Sequence, residues 1–173
     1  MDFEIVKALN SLNNSWVNSF SFFISWIPFI LIILAIISII PLIYDKNKGK
    51  EVFIAIVLAV ITYFIISEDL LKYILPFKQR PYLAYPHEIR AVGKQFVDSS
   101  FPSNHIASVV SVLTVVVYYY HKYWFWSLLF VLIMAFSRMY NGMHYPTDVL
   151  AGAVLGIIYG LLAIKITKSI IKK

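Results

Sequence analysis

The sequence predicts an all-α integral membrane protein with about five transmembrane helices, an N-terminal amphipathic helix at the interface and a long extracytoplasmic loop. Three observations lead to this fold class. Of the 173 residues, 60% are hydrophobic and the mean hydropathy is +0.77, far outside the range of a soluble domain. The apolar residues gather into five runs, about 20–44, 52–75, 105–121, 123–140 and 146–167, each near the length that crosses a bilayer. Only one connection is long, residues 76–104, and it is polar, basic and aromatic. A loop of that length in so small a protein is more often functional than idle. Little chain is left for a second domain, so 1–173 reads as one.

Before the first run, Ile5, Leu9, Leu12 and Trp16 recur at helical spacing among Asn, Ser and Lys. This pattern predicts a short amphipathic helix over 3–17, too polar to span and suited to the membrane surface. Asp2 and Glu4 stand where a secretory signal would be basic, so the chain is expected to keep its start. The second run ends in polar "SEDLLK". The fifth carries Ala151, Gly152, Ala153, Gly156 and Gly160, spaced to let helices approach closely. There is no cysteine, which excludes a disulfide framework and a thiolate metal site.

Five spans place the 45–51 loop, the 121–123 turn and the C-terminal tail on one side, with eight lysines. The other side holds seven basic residues, among them Lys72, Arg80 and Arg138. If those three are held in a site, the lysine-rich side is the cytoplasmic one and the 76–104 loop faces outward.

On that outward face the topology collects three polar clusters: "LKYILPFKQRPY", "PSNH" and "SRMYNGMHYPTD". Lys72, Lys78, Arg80 and Arg138 offer cationic donors. The helix start at Ser103 and Asn104 offers backbone N–H groups at the positive end of a dipole, so together they form an anion site. His105 and His144 exchange protons near neutral pH, and Asp148, four residues after His144, is placed to orient its ring. A carboxylate-oriented histidine is a candidate nucleophile and a second histidine a candidate general acid.

Each cluster also has a plainer explanation. Lys78, Arg90 and Lys94 suit headgroup anchoring, Lys72 could pair with Glu68, and "PSNH" alone makes a good helix cap. Tyr118, Tyr119 and Tyr120 suit an aromatic belt, and His87 and His121 suit the interface. Convergence of all three clusters on one face is what these explanations leave unaccounted for.

At these residues the chain resembles the type-2 phosphatidic acid phosphatases, which share their site with vanadium haloperoxidases and bacterial acid phosphatases. The third family motif is matched in full by Ser137-Arg138, five residues, His144, three residues and Asp148. The second is matched by Pro102-Ser103-Asn104-His105, with Asn where Gly is commonest. The first departs by one residue: seven, "YILPFKQ", separate Lys72 from Arg80-Pro81, leaving Lys72 or Lys78 for the lysine role. The motif-bearing core runs from about 72 to 148.

The resemblance implies a metal-independent phosphatase with no cofactor. His144 would attack phosphorus to form a phosphohistidine, Asp148 would fix its tautomer, and His105 would protonate the leaving oxygen. Lys72, Arg80, Arg138, the Ser103 hydroxyl and the Asn104 N–H would hold the phosphoryl oxygens. The membrane setting implies a lipid phosphate as substrate, membrane lipids as surroundings and no nucleic acid. The small size looks similar to undecaprenyl or dolichyl diphosphate phosphatases, with phosphatidate and phosphatidylglycerophosphate as alternatives. A silent lipid-phosphate binding or transport protein is the contrasting class, and it would have no use for His105, His144 and Asp148 together.

Overall fold

Asp2 and Glu4 in the first turn and Lys7 in the last complement the dipole of α1 (Asp2–Asn10). The amphipathic stretch predicted over 3–17 does not run on as one helix. It breaks at 11–14, where Asn13 takes a positive φ of 27° and Asn14 caps α2 (Ser15–Ser25) by accepting from the N–H groups of Trp16 and Val17. Val6 is fully buried against Tyr82, Ile89, Met143 and Tyr145. The Asn10 amide donates to the carbonyls of Arg90 and Tyr140 and accepts from the Arg90 N–H. One side of this segment therefore fastens to protein, while Ile5, Leu12 and Trp16 stay exposed on the other.

The first apolar run is interrupted at Trp26, whose backbone is extended. Hydropathy does not register the break because Trp26, Ile27 and Pro28 are themselves apolar. Pro28 falls in the first turn of α3 (Ile27–Tyr44), where its missing N–H has no helical partner to lose. Asp45 then accepts from the N–H groups of Asn47 and Lys48. Gly49 lets the chain reverse tightly, since a Cβ there would lie 2.0 Å from the Pro41 carbonyl oxygen. Next comes α4 (Gly49–Tyr63), continued by a π-helical stretch (Phe64–Leu71).

The computed structural model describes residues 1–71 and 74–171. After the π-helical stretch follow a short α5 (Pro81–Ala84), then α6 (Asn104–Tyr119), α7 (Trp124–Tyr140) and α8 (Pro146–Ile171). Ile27–Tyr44, Gly49–Ser67, His121–Tyr140 and Pro146–Ile171 are long and apolar enough to cross a membrane. The fifth predicted run is α8 and the third is α6, whose 16 residues reach about 24 Å at 1.5 Å each. This short helix is the enclosed one, with Val109, Val112 and Val115 fully buried.

α4, α6 and α8 make the central packed trio. The small residues of the fifth run act as predicted. A Cβ on Gly152, Gly156 or Gly160 would stand 2.6, 2.7 and 2.7 Å from the carbonyl oxygens of Ser103, Ala107 and Ser111. Both helices thus present every fourth residue to one seam, and the absence of side chains there lets the backbones meet. The 76–104 stretch folds back over the corner between α7 and α8. Tyr82 N–H donates to the Gly142 carbonyl, Val92 N–H to that of Asn141, and the Tyr82 hydroxyl bonds both backbone groups of Phe96.

Candidate active site

Four helix ends and the 76–104 stretch enclose a cavity of about 450 Å³. Arg80, Asn104, His105, Arg138 and His144 line its polar end, and Ile27, Leu31, Leu34, Val60 and Phe64 form an apolar lane between α3 and α4. Five of the predicted site residues therefore meet in one cavity. Lys72 lies outside the described residues.

His144 is buried, with 3% of its side chain exposed. Its Nδ1 is 2.7 Å from the Ser100 carbonyl oxygen. A carbonyl only accepts, so Nδ1 carries the hydrogen and the Nε2 lone pair is left for chemistry. Nε2 faces Arg80 Nη1 at 3.3 Å. Burial first, then the charges of Arg138 and Arg80, hold this imidazole well below the ordinary histidine range. It is therefore the neutral base at neutral pH, the form a nucleophile needs.

The structure places Asp148 differently from the hydrogen-bonded partner the motif implies. Its nearer oxygen is 3.9 Å from His144 Nδ1, because the Ser100 carbonyl already occupies that position. Asp148 instead accepts from the Tyr145 N–H at 2.9 Å and from Lys78 Nζ at 2.6 Å. Lys78 also bonds Thr147 Oγ1 at 3.0 Å and lies 4.5 Å from the Tyr145 ring centroid. It braces Asp148 from behind and does not line the cavity.

Arg80 is buried, and its N–H groups all face acceptors. Nε donates to the Asp98 carbonyl at 3.2 Å, Nη1 to the Met143 carbonyl at 3.2 Å and to His144 Nε2, and Nη2 to Asp98 Oδ1 at 2.8 Å and the Ser99 carbonyl at 3.4 Å.

Arg138, from the last turn of α7, is 3% exposed. Its Nε and the Ser103 hydroxyl are buried with no hydrogen-bond partner among the described residues. Ser103 occupies the N-cap position of α6 without making a side-chain cap bond, so the capping explanation of "PSNH" does not account for its hydroxyl. Leaving such groups unmet costs about 1–3 kcal/mol each. Asn104 opens the helix, where first-turn N–H groups have no intrahelical acceptor.

His105 Nε2 is 3.1 Å from the Ser25 carbonyl oxygen at the broken end of α2. The same helix end is locked to α7 by Ser137, whose hydroxyl donates to the Ser21 carbonyl at 2.9 Å, and by Asn141, which donates to Ser25 Oγ at 3.1 Å. Ser25, Ser100 and Asp98 were missed in the sequence. The first two act through carbonyls, which any residue type supplies, and only the acid in "FVDSS" gave a side-chain signal.

The PAP2 superfamily model matches residues 51–172. This chain belongs to the PAP2 superfamily. Among the PAP2 proteins it is similar to the undecaprenyl-diphosphatase BcrC of Bacillus subtilis, at 29% identity over 94% of this chain and 82% of that protein. An undecaprenyl-diphosphatase of Sulfolobus acidocaldarius is 26% identical over 94% of this chain and 77% of that one. The PAP2 fold is shared with Aquifex aeolicus LpxE, at a TM-score of 0.73 and 24% identity, covering 95% of this chain and 94% of that one. A PAP2-type phosphatidylglycerolphosphate phosphatase of Bacillus subtilis matches with a TM-score of 0.69 at 22% identity, over 98% and 85% of the two chains. Membership, fold and a cavity joining a cationic end to an apolar lane make this PAP2 protein a multi-pass membrane lipid phosphatase.

Proposed function

We propose that this enzyme removes the terminal phosphate of a polyprenyl diphosphate, releasing the monophosphate, through a phosphohistidine on His144. The observation that carries the reading is the pair of buried, unmet donors, Ser103 Oγ and Arg138 Nε, beside a histidine whose Nε2 lone pair is bare of a proton. Such donors await oxygens that arrive with a ligand. The apolar lane leads from the same cavity toward the lipid-facing sides of α3 and α4, as a long tail requires. The relatives that align over nearly the whole chain and carry undecaprenyl-diphosphatase names favour a polyprenyl chain over a diacylglycerol one.

In the proposed reaction His144 Nε2 attacks the terminal phosphorus, and the bond from phosphorus to the bridging oxygen breaks. His105 gives its proton to that oxygen. Arg80, Arg138, Ser103 Oγ, the Asn104 N–H and Lys72 hold the three equatorial oxygens as charge redistributes. The phosphorylated ring keeps its Nδ1 hydrogen and becomes cationic, supported by the Ser100 carbonyl and by Asp148 at 3.9 Å. His105 then takes a proton from water as its oxygen attacks phosphorus, the P–N bond breaks, and orthophosphate leaves. The test is phosphate release from a long-chain polyprenyl diphosphate in detergent with EDTA, wild type against His144→Ala. Release by the wild type alone is the expected result. Release from phosphatidate but not from the diphosphate would overturn the substrate, and equal release by the variant would overturn the nucleophile.

The cavity is further proposed to open on the extracytoplasmic side, as the eight lysines that the sequence assigns to the opposite side favour. Val97, 81% exposed beside the site, provides the check. A Val97→Cys protein in intact cells should react with an impermeant thiol reagent, and labelling only after lysis would reverse the orientation.

A further inference from the structure

The cavity that must accept an anion already contains one. Asp98 lines it, presents a side chain 39% exposed, and places Oδ1 2.8 Å from Arg80 Nη2. Its own carbonyl receives Arg80 Nε. Two backbone bonds from Phe96 to the Tyr82 hydroxyl fix the segment that carries it, and the Phe96 ring centroid lies 5.6 Å from the Arg80 guanidinium carbon. Because every N–H of Arg80 already faces an acceptor, an incoming phosphate oxygen must displace one. The Met143, Ser99 and Asp98 carbonyls belong to the backbone and stay in place, and His144 Nε2 leaves Nη1 only when it bonds phosphorus, after the phosphate has bound. The Asp98 carboxylate, on a side chain 39% exposed, is the acceptor that a rotation of its side chain can withdraw before the chemistry begins.

We infer that Asp98 is a specificity-determining residue, an internal anion that competes with phosphate for Arg80 and so keeps the site from retaining free orthophosphate. This inference rests on the phosphatase reading above. A lipid phosphate brings the added binding free energy of its tail in the apolar lane and displaces the carboxylate. Orthophosphate, the product, has no tail and meets the carboxylate's repulsion alone. The same contact holds Arg80 in position between turnovers and speeds product departure.

The experiment is a calorimetric titration of purified protein in detergent with orthophosphate and with vanadate, comparing the wild type, Asp98→Asn and Asp98→Glu. Asn keeps an oxygen for Arg80 Nη2 and removes only the charge. Asp98→Asn should bind both anions about tenfold more tightly, the order expected from one partly screened charge, while Asp98→Glu stays near wild type. In turnover, Asp98→Asn should show stronger inhibition by added orthophosphate and a kcat reduced more than KM. Equal or weaker anion binding by Asp98→Asn would overturn the inference, because an aspartate that only positions Arg80 is either replaced by the Asn oxygen or leaves Arg80 misplaced, and neither tightens binding. The titration needs no turnover, so it judges Asp98 even if the phosphatase reading itself were to fail.

Discussion

Replacing Gly152 by alanine should injure catalysis far more than it injures the fold. A Cβ at this position would stand 2.6 Å from the Ser103 carbonyl oxygen and 3.3 Å from Ile106 Cβ. An ordinary contact is near 3.4 Å or more, so the start of α6 must move away from α8 by several tenths of an ångström. Overpacking of this kind costs about 1–3 kcal/mol. The displaced segment carries Ser103, Asn104 and His105, whereas His144 and Asp148 stay with the other helix. The Ser103 N–H, now 3.1 Å from the Asp148 carbonyl, is the link between the two halves. Misplacement approaching 1 Å costs about 100-fold in rate, so a drop in kcat of at least about tenfold is expected, with a modest fall in melting temperature. Gly160→Ala is the matched control. Its Cβ would meet Thr114 Cβ at 2.6 Å and the Ser111 carbonyl at 2.7 Å, an equal crowding about 12 Å further along the helix. The assay is phosphate release alongside thermal unfolding in detergent. Equal losses of activity in the two variants, or full activity in Gly152→Ala, would refute the idea that this seam sets the site's geometry.

Stability should depend on pH through His144. Its folded value lies well below 6.5, so as pH falls through about 6.5 the unfolded chain takes up a proton that the folded protein refuses. Stability is then full above that pH, declines below it, and levels off once the folded value is reached. Melting curves from pH 8 to 5 should show this, and His144→Gln should be flatter; a wild type as flat as the variant would contradict the neutral ring. The acid limb of kcat/KM should correspondingly lie below the ordinary histidine value. Lys78→Met removes the cation from a fully buried Asp148 and should lower stability by about 1–2 kcal/mol, a value discounted for the lysine's partial exposure. Vanadate inhibition should stay close to wild type, and a large loss of vanadate affinity would return Lys78 to the phosphate.

The side chains that face the cavity were legible because their chemistry requires particular residue types at fixed spacing. Arg80, His105, Arg138 and His144 could be named from three short motifs, and the helical background from apolar runs alone. What the residue types could not reveal was the backbone's part. Nothing about Ser100 or Ser25 as residues announces that their carbonyls hold the two histidines. Lys78 suited headgroup anchoring or the first-motif lysine role, and only the folded chain reveals that it reaches Asp148. The division of the first run into α2 and α3 was hidden for the opposite reason, since Trp26, Ile27 and Pro28 carry no charge and leave the apolar run looking continuous. Pro28 was the available clue, because proline favours a helix's first turn.

The fastening of α1 and α2 bears on how the protein is made. Asn10 bonds residues 80 and 130 positions later, Ser21 bonds Ser137, and Asp2 bonds Thr147, 145 positions on. The first helix to leave the ribosome therefore meets partners such as Glu88 and Arg90 only when half the chain exists, and completes its set only when nearly all the rest has been synthesised and inserted. Contacts of such long sequence separation form slowly, and the Ser25 carbonyl that positions His105 arrives only with them. The helices can all be in the membrane while the enzyme is still unfinished, so membrane insertion and the onset of activity should be separable events in its biogenesis.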